Sequence, residues 1–147
     1  MAVKDSREVL IEASPAEIFA VIADVDSAPS WSSQYQSAEV LETFPDGRPK
    51  LVKMKVKAAG ITDEQTVEYH WGEDTAGWTL IKAGQMRSQE ATYTLTPQGD
   101  KTKVRFDLVL DPSIPLPGFI VKQVIRGAMD TATNGLRKQV LKIKKSG

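Results

Sequence analysis

The sequence predicts an α+β fold in which a curved antiparallel sheet of about seven strands wraps around one long C-terminal helix, with two short helices after the first strand. Two observations support this prediction. The last stretch, from residue 117 to about 145, carries apolar residues at helical spacing. Most of the chain before it alternates apolar and polar residues in short runs, which is typical of antiparallel strands that bury one face.

The predicted C-terminal helix has one broad apolar stripe. Its members are Val121, Val124, Ile125, Ala128, Met129, Ala132, Leu136, Val140 and Ile143. Charged residues such as Lys122, Arg126 and Lys138 fall mostly on the opposite side. Because an isolated helix is only marginally stable in water, the stripe must pack against a partner, which the upstream strands can supply.

The remaining elements follow in order. A first strand is expected over residues 6–12, followed by the capping box Ser14-Pro15-Ala16-Glu17, which begins a short helix. Asp24, Asp26 and Pro29 then interrupt this helical region. Further strands are predicted over residues 35–43, 51–59, 62–71, 78–83, 86–96 and 103–110, and Pro-, Gly- and Asp-rich turns separate them.

The dimensions of these elements favour a cavity. Seven strands about 4.8 Å apart make a sheet roughly 34 Å wide, whereas one helix has a diameter of about 10–12 Å. The sheet must therefore curl around the helix, and small residues on the helix, Ala128 and Ala132 with Gly127 beside them, leave space there. Close helix–sheet packing without a void is the alternative.

Composition limits the function further. The chain has 147 residues, equal numbers of basic and acidic residues (19 each), and no cysteine. We expect a single domain over residues 1–147, in the cytoplasm, as a monomer or weak dimer. The balanced charge argues against nucleic acid as a partner, and no apolar run is long enough for stable membrane insertion.

The sequence shows no catalytic constellation. His70 is the only histidine and lies on the polar side of its strand, so a surface position is favoured over a catalytic base. The acidic pairs Asp24/Asp26, Asp63/Glu64 and Glu73/Asp74 lie at turns or strand starts, where contact with solvent and the formation of turns explain them. No metal site, phosphate loop or dinucleotide fingerprint is present, so we expect neither a metal nor a cofactor.

The inner face of the sheet and the helix stripe supply the candidate ligand-binding residues. They are Trp31, Met54, Val56, Tyr69, Trp71, Trp78, Arg87, Gln89, Tyr93, Phe106, Leu108, Val124, Ala128, Met129 and Ala132. Extending the apolar alternation of residues 91–95 backwards places Gln89 and Arg87 inside, where they could fix an oxygen of an apolar ligand. Alternatively, a β-bulge or the exposed strand end releases both to solvent.

The order of these motifs resembles the START-like (SRPBCC, helix-grip) superfamily. The most specific parts are residues 13–19, with the sequence ASPAEIF, and the later group Asp24, Asp26, Pro29 and Trp31. The chain is most similar to polyketide cyclase/dehydrases of actinobacterial type and to coenzyme Q-binding START proteins. The resemblance covers nearly the whole chain and implies a deep, largely apolar pocket between sheet and helix that takes lipids, quinones or polyketides.

Three functions follow as hypotheses. The first is binding or carriage of a hydrophobic small molecule, without bond chemistry. The second is a polyketide aromatase/cyclase or dehydratase, with Arg87, Gln89 and Tyr93 as weak candidates for orienting groups or proton shuttles. The third is a ribosome- or protein-interaction module that uses the basic helix end around Lys138, Lys142, Lys144 and Lys145.

Overall fold

A computed structural model of the protein describes residues 3–32, 34–58, 60–84, 86–113 and 115–146. Its strands are β1 (Val3–Ile11), β2 (Tyr35–Thr43), β3 (Pro49–Ala58), β4 (Ile61–Trp71), β5 (Thr75–Ala83), β6 (Met86–Gln98) and β7 (Lys101–Pro112). Its helices are α1 (Pro15–Ala23), α2 (Ala28–Trp31), α3 (Gly118–Asp130) and α4 (Leu136–Ser146). Ala59, predicted to end a strand, Gln85, predicted in a turn, and Ile114, predicted in the connector before the helix, lie outside the described residues.

The seven strands form one antiparallel sheet in the order β1-β7-β6-β5-β4-β3-β2. From β2 to β7 each strand pairs with the next one in the chain, and β1 completes the sheet by pairing with β7. The curved sheet surrounds the C-terminal helix, so the predicted fold class is confirmed. None of the helices within the described ranges is long and apolar enough to cross a membrane.

The predicted alternation gives the sheet an inner, buried face. In β3, Val52 and Met54 are buried, whereas Lys53 and Lys55 are exposed. In β7 the buried residues are Val104, Phe106, Leu108 and Leu110. Since successive side chains of a strand point to opposite faces, this pattern fixes which residues face the helix.

The capping box begins α1 as the sequence predicts. The Ser14 hydroxyl accepts a hydrogen bond from the Glu17 amide at 3.2 Å, and the Ser14 amide donates to Glu17 Oε1 at 2.9 Å. These hydrogen bonds with Ser14 lower the pKa of Glu17. Ile18, Val21 and Ile22 are buried on the inner side of α1, which therefore begins at a defined residue and packs on the core.

The C-terminal helix is continuous from residue 118 to 146, but a π-helical turn, Thr131–Gly135, joins α3 to α4. The Thr133 hydroxyl donates to the Met129 carbonyl at 2.7 Å within this region. The stripe predicted for an ideal helix remains buried at Ile125, Met129 and Leu136. Ile143 is 47% exposed, contrary to its predicted place on the stripe, and the other side chains of residues 142–145 are exposed as well.

Candidate ligand-binding cavity

A cavity lies between the inner face of the sheet, the α1–α2 region and the C-terminal helix. The cavity has a volume of about 150 Å³, and its mouth opens to solvent. The predicted cavity is therefore present, and the alternative of a helix packed on the sheet without a void is wrong.

Aromatic rings from neighbouring strands form the floor of the cavity. The Trp78 ring lies 5.3 Å from the Tyr69 ring and 6.0 Å from the Tyr93 ring, centroid to centroid. Phe106 lies 4.8 Å from Tyr93 and 6.1 Å from Trp78. Backbone pairing aligns these rings, because Tyr69 lies opposite Trp78 and Tyr93 lies opposite Phe106. The floor is thus a surface on which flat apolar molecules can pack.

All three tyrosines of the chain, Tyr35, Tyr69 and Tyr93, line this cavity. Burial raises the pKa of Tyr35 to about 12 and raises the pKa values of Tyr69 and Tyr93 further, with the Tyr35 phenol adding to the effect on both. Within the described residues, none of the three hydroxyls has a hydrogen-bond partner. The three phenols are therefore neutral at physiological pH and able to donate to a bound molecule.

A second polar group lies farther along β4. Asp63 is only 8% exposed and Gln65 only 5% exposed, and both line the cavity. The Asp63 carboxylate accepts hydrogen bonds from the Gly84 amide at 2.9 Å and from Gln65 Nε2 at 3.2 Å. The prediction that solvent surrounds Asp63 is therefore wrong, because this residue shares the inner face with Val67 and Tyr69. Its neighbour Glu64 is exposed and pairs with Lys53 at 2.8 Å.

The charged side chains on the described part of the cavity wall are all acidic. Among the described residues, the only ionisable side chains on the wall apart from the tyrosines are Asp24 and Asp63. No lysine, arginine or histidine from the described ranges reaches it. Asp24 is exposed, whereas Asp63 is buried, so a carboxylate ligand would meet like charge chiefly at Asp63, where the low dielectric constant makes it unfavourable.

The structure brings most of the predicted site residues together. The predicted residues that line the cavity are Trp31, Met54, Val56, Tyr69, Trp78, Gln89, Tyr93, Phe106, Leu108, Val124, Ala128 and Ala132. The π-helical turn places Ala132 and Thr131 on the helix side of the wall. Ligand contact by these residues stays a prediction that binding experiments must test.

Three predicted site residues lie elsewhere. The Trp71 indole N–H donates to the Pro49 carbonyl at 2.8 Å, and its ring packs against Phe19 and Arg48 outside the cavity wall. Met129 is fully buried in the core and does not line the cavity. Arg87 is exposed and lies 3.7 Å from Asp111.

A β-bulge explains the position of Arg87. Residues 86 and 88 of β6 pair with consecutive residues of β7, Pro112 and Asp111, so Arg87 is an extra residue that the ladder does not include. This bulge releases Arg87 to solvent while Gln89 returns to the inner face and lines the cavity. Of the two interpretations that the sequence allowed, exposure is right for Arg87 and an inner position is right for Gln89.

Sequence reasoning missed several polar wall residues, including Tyr35, Asp63 and Gln65. A signal for the last two was available, because the alternation that places Val67 and Tyr69 inside also places Asp63 and Gln65 inside. For Tyr35 no such signal exists, since a register irregularity between Tyr35 and Ser37 breaks the alternation of β2. Gln34 also lines the cavity, and its amide group lies against Gly127 of the C-terminal helix.

Outside the cavity, His70 and the basic helix end have structural partners. His70 is exposed, as predicted, and its Nε2 lies 3.0 Å from the Thr79 hydroxyl. Lys144 Nζ donates to the Glu12 carbonyl at 3.0 Å and lies 3.9 Å from Glu17. These contacts give Lys144 a role in docking the helix, so the structure adds no support to an interaction module at this end.

Comparison of the sequence with protein-family profiles identifies its family. The profile of the family described as polyketide cyclase/dehydrase and lipid transport matches residues 2–142. The chain belongs to this family. No curated protein matches the sequence significantly. The START-like resemblance is therefore confirmed at the level of the family, whose description includes both an enzymatic and a transport activity.

Solved structures share the fold of this chain. A START superfamily protein from Mycobacterium smegmatis superposes with a TM-score of 0.86 at 22% identity, over 95% of this chain and 98% of that one. The Zhui aromatase/cyclase from Streptomyces sp. R1128 superposes with a TM-score of 0.82 at 12% identity, over 95% and 94%. At these identities the likeness establishes the fold alone.

Proposed function

We propose that this protein binds and carries a hydrophobic small molecule, such as a lipid, quinone or polyketide-like compound, in the cavity between the sheet and the C-terminal helix. The observation that carries the proposal is the cavity itself, whose aromatic floor and small-residue roof leave apolar surface without a protein partner. Empty apolar space of this size costs packing energy, and a bound molecule would recover it.

Carriage without chemistry is favoured over catalysis because no histidine, lysine or arginine of the described residues lies on the wall to pair with a carboxylate as acid and base. The tyrosines are neutral donors, and the single histidine lies on the outer surface. Family membership supports the proposal, since its description includes lipid transport.

Native mass spectrometry of the freshly purified chain tests the proposal directly. We expect a population heavier than the apoprotein by the mass of one small molecule, which denaturation releases for identification. Protein that is empty and also fails to take up a panel of hydrophobic dyes would contradict the proposal.

A substitution on the C-terminal helix tests whether the ligand binds in the cavity. Ala132→Trp should fill the space next to the helix and reduce dye uptake at least tenfold, because the new ring occupies the volume that the ligand needs. Ala20→Trp, on the exposed side of α1, is the matched control and should bind like the wild type. Circular dichroism checks that both variants fold. Equal uptake by the wild type and Ala132→Trp would remove this residue from the site.

A polyketide aromatase/cyclase or dehydratase is the second candidate, and one observation favours it. Tyr93 and Gln89 lie on the same strand and both line the cavity, where they could orient a carbonyl chain. Arg87, the third candidate, points away from the cavity to solvent. Incubation with a poly-β-carbonyl thioester, followed by mass spectrometry, distinguishes the candidates. Loss of water from the substrate at a rate that Tyr93→Phe reduces would indicate catalysis, and unchanged substrate would favour carriage.

A further inference from the structure

Phenols and a carboxylate both line the cavity. Tyr69 and Asp63 are six residues apart on β4, which corresponds to about 20 Å at 3.3 Å per residue. Tyr35 lies nearer to Asp63 in the sheet, because it pairs with Val56 of β3, which in turn pairs with Asp63. The phenol group, defined as the hydroxyls of Tyr35, Tyr69 and Tyr93, therefore spans much of the cavity wall.

The phenol group supplies hydrogen-bond donors without protein acceptors. In the described part of the chain none of the three hydroxyls is used to hold the fold together. Among the described residues, only Ser32 Oγ is a fully buried side-chain polar atom without a partner, so the three unpaired phenol hydroxyls are open to the cavity space. A ligand that presents acceptor oxygens at this position would satisfy them.

The size and charge of the wall narrow the ligand class further. The cavity volume of about 150 Å³ is small for a ligand pocket, which disfavours a two-chain lipid. The aromatic floor favours flat rings. Asp24 and Asp63, with no cation on the wall among the described residues, disfavour anions.

We propose that the cavity selects an uncharged ring molecule with carbonyl or ether oxygens, which accept hydrogen bonds from Tyr35, Tyr69 and Tyr93, and that it discriminates against carboxylic acids. This inference rests on the proposed function and makes its ligand class specific. We therefore expect fatty acids to be poor ligands because of their carboxylate groups, even though their chains are apolar.

Three probes of similar shape test the inference by equilibrium dialysis with the full chain. Anthracene has no oxygen, 9,10-anthraquinone adds two carbonyl groups, and anthraquinone-2-carboxylate adds a negative charge. We expect anthraquinone to bind at least tenfold more tightly than its carboxylate. Because the chain has no cysteine, thiol addition to the quinone does not complicate the measurement.

Hydroxyl deletions identify the donors. Tyr69→Phe and Tyr93→Phe keep the rings of the floor, so each should weaken anthraquinone binding about 3- to 10-fold and leave anthracene binding unchanged. Thr79→Val removes a hydroxyl from the outer face of the sheet and is the matched control. Equal weakening of both probes, or no change for anthraquinone, would overturn the role of the phenol group.

A positive charge introduced into the wall should invert the preference for anthraquinone over its carboxylate. Gln89→Lys places a cation beside the cavity, and the carboxylate probe should then bind at least as tightly as anthraquinone. Wild-type protein that takes palmitate or the carboxylate probe more tightly than anthraquinone would overturn the inference but keep the proposed function. Failure to bind any probe, together with an empty native mass spectrum, would overturn both.

Discussion

At the residue scale, two glycines show how the neighbouring atoms decide what a position tolerates. A Cβ atom on Gly77 would lie 2.5 Å from the Ala91 carbonyl oxygen, which belongs to the backbone of the adjacent strand β6. A Cβ atom on Gly127 would meet only the end of the Gln34 side chain within contact distance. Backbone in the middle of a sheet cannot move without breaking its ladder, whereas a glutamine side chain can rotate away.

The two alanine variants should therefore differ in stability. Gly77→Ala should lower the free energy of unfolding by about 1–3 kcal/mol, because the methyl group overpacks the sheet. Gly127→Ala should leave it unchanged or raise it by up to about 1 kcal/mol, since alanine is the better helix former. Urea unfolding followed by circular dichroism measures both. A larger loss for Gly127→Ala than for Gly77→Ala would mean that Gln34 is held rigidly.

At the element scale, one ion pair fastens the second half of the C-terminal helix to the end of β1. Arg137, near the start of α4, donates to both carboxylate oxygens of Glu12, just after β1, at 3.1 and 2.8 Å. The hydrogen bond from Arg137 lowers the pKa of Glu12. Arg7 of β1 and Asp130 at the end of α3 form a second pair between the same two regions. The helix that roofs the cavity is thus anchored to β1 and the residue that follows it.

Glu12→Gln should make stability less dependent on pH. A glutamate whose pKa is lowered in the folded state stabilises the protein above its unfolded value of about 4.5, and this contribution is lost as the pH falls through the folded pKa. The variant should therefore be less stable than the wild type at pH 7, and the difference should shrink toward pH 3. Urea midpoints at both pH values measure it, with Glu42→Gln, an exposed residue of β2, as the control. A difference that does not change with pH would exclude the ion pair as its cause.

At the scale of the whole molecule, the buried tyrosines link the cavity to stability at high pH. Their raised pKa values mean that the folded state keeps protons that the unfolded chain releases above about pH 10. Stability must therefore fall as the pH rises from about 10 through the folded pKa of Tyr35, about 12. The slope is at most about 1.4 kcal/mol per pH unit for each tyrosine.

An alkaline titration checks this behaviour. We expect phenolate absorbance at 295 nm to appear together with the loss of the far-ultraviolet circular dichroism of the fold, rather than before it. Tyr69→Phe should shift both transitions to higher pH, because one proton-releasing group is gone. Normal titration near pH 10 with the fold intact would show that water solvates the phenols freely.

Local patterns were sufficient to predict much of the fold. The capping box at Ser14, the alternation around Val52 and Met54, and the apolar stripe through Ile125 and Leu136 each depend on spacing within one element. Those patterns predict the seven strands and the long helix. The widths expected for sheet and helix then predict the cavity between them. These features depend only on the order of residues along the chain, so no tertiary information is needed to predict them.

Pairing between strands decided the rest. A bulge in β6 turns Arg87 to solvent and leaves Gln89 inside. In β2, a register irregularity lies between Tyr35 and Ser37, and both Tyr35 and Ala38 line the cavity. A shift of one residue reverses the face of every side chain that follows, and it arises from hydrogen bonds to another strand rather than from the local sequence. By itself the sequence determined the α+β architecture, its apolar interior and the inward position of Tyr69 and Tyr93. Only the tertiary structure decided that Tyr35 joins them on the cavity wall and that Arg87 does not, because hydrogen bonds between strands set the register at both positions.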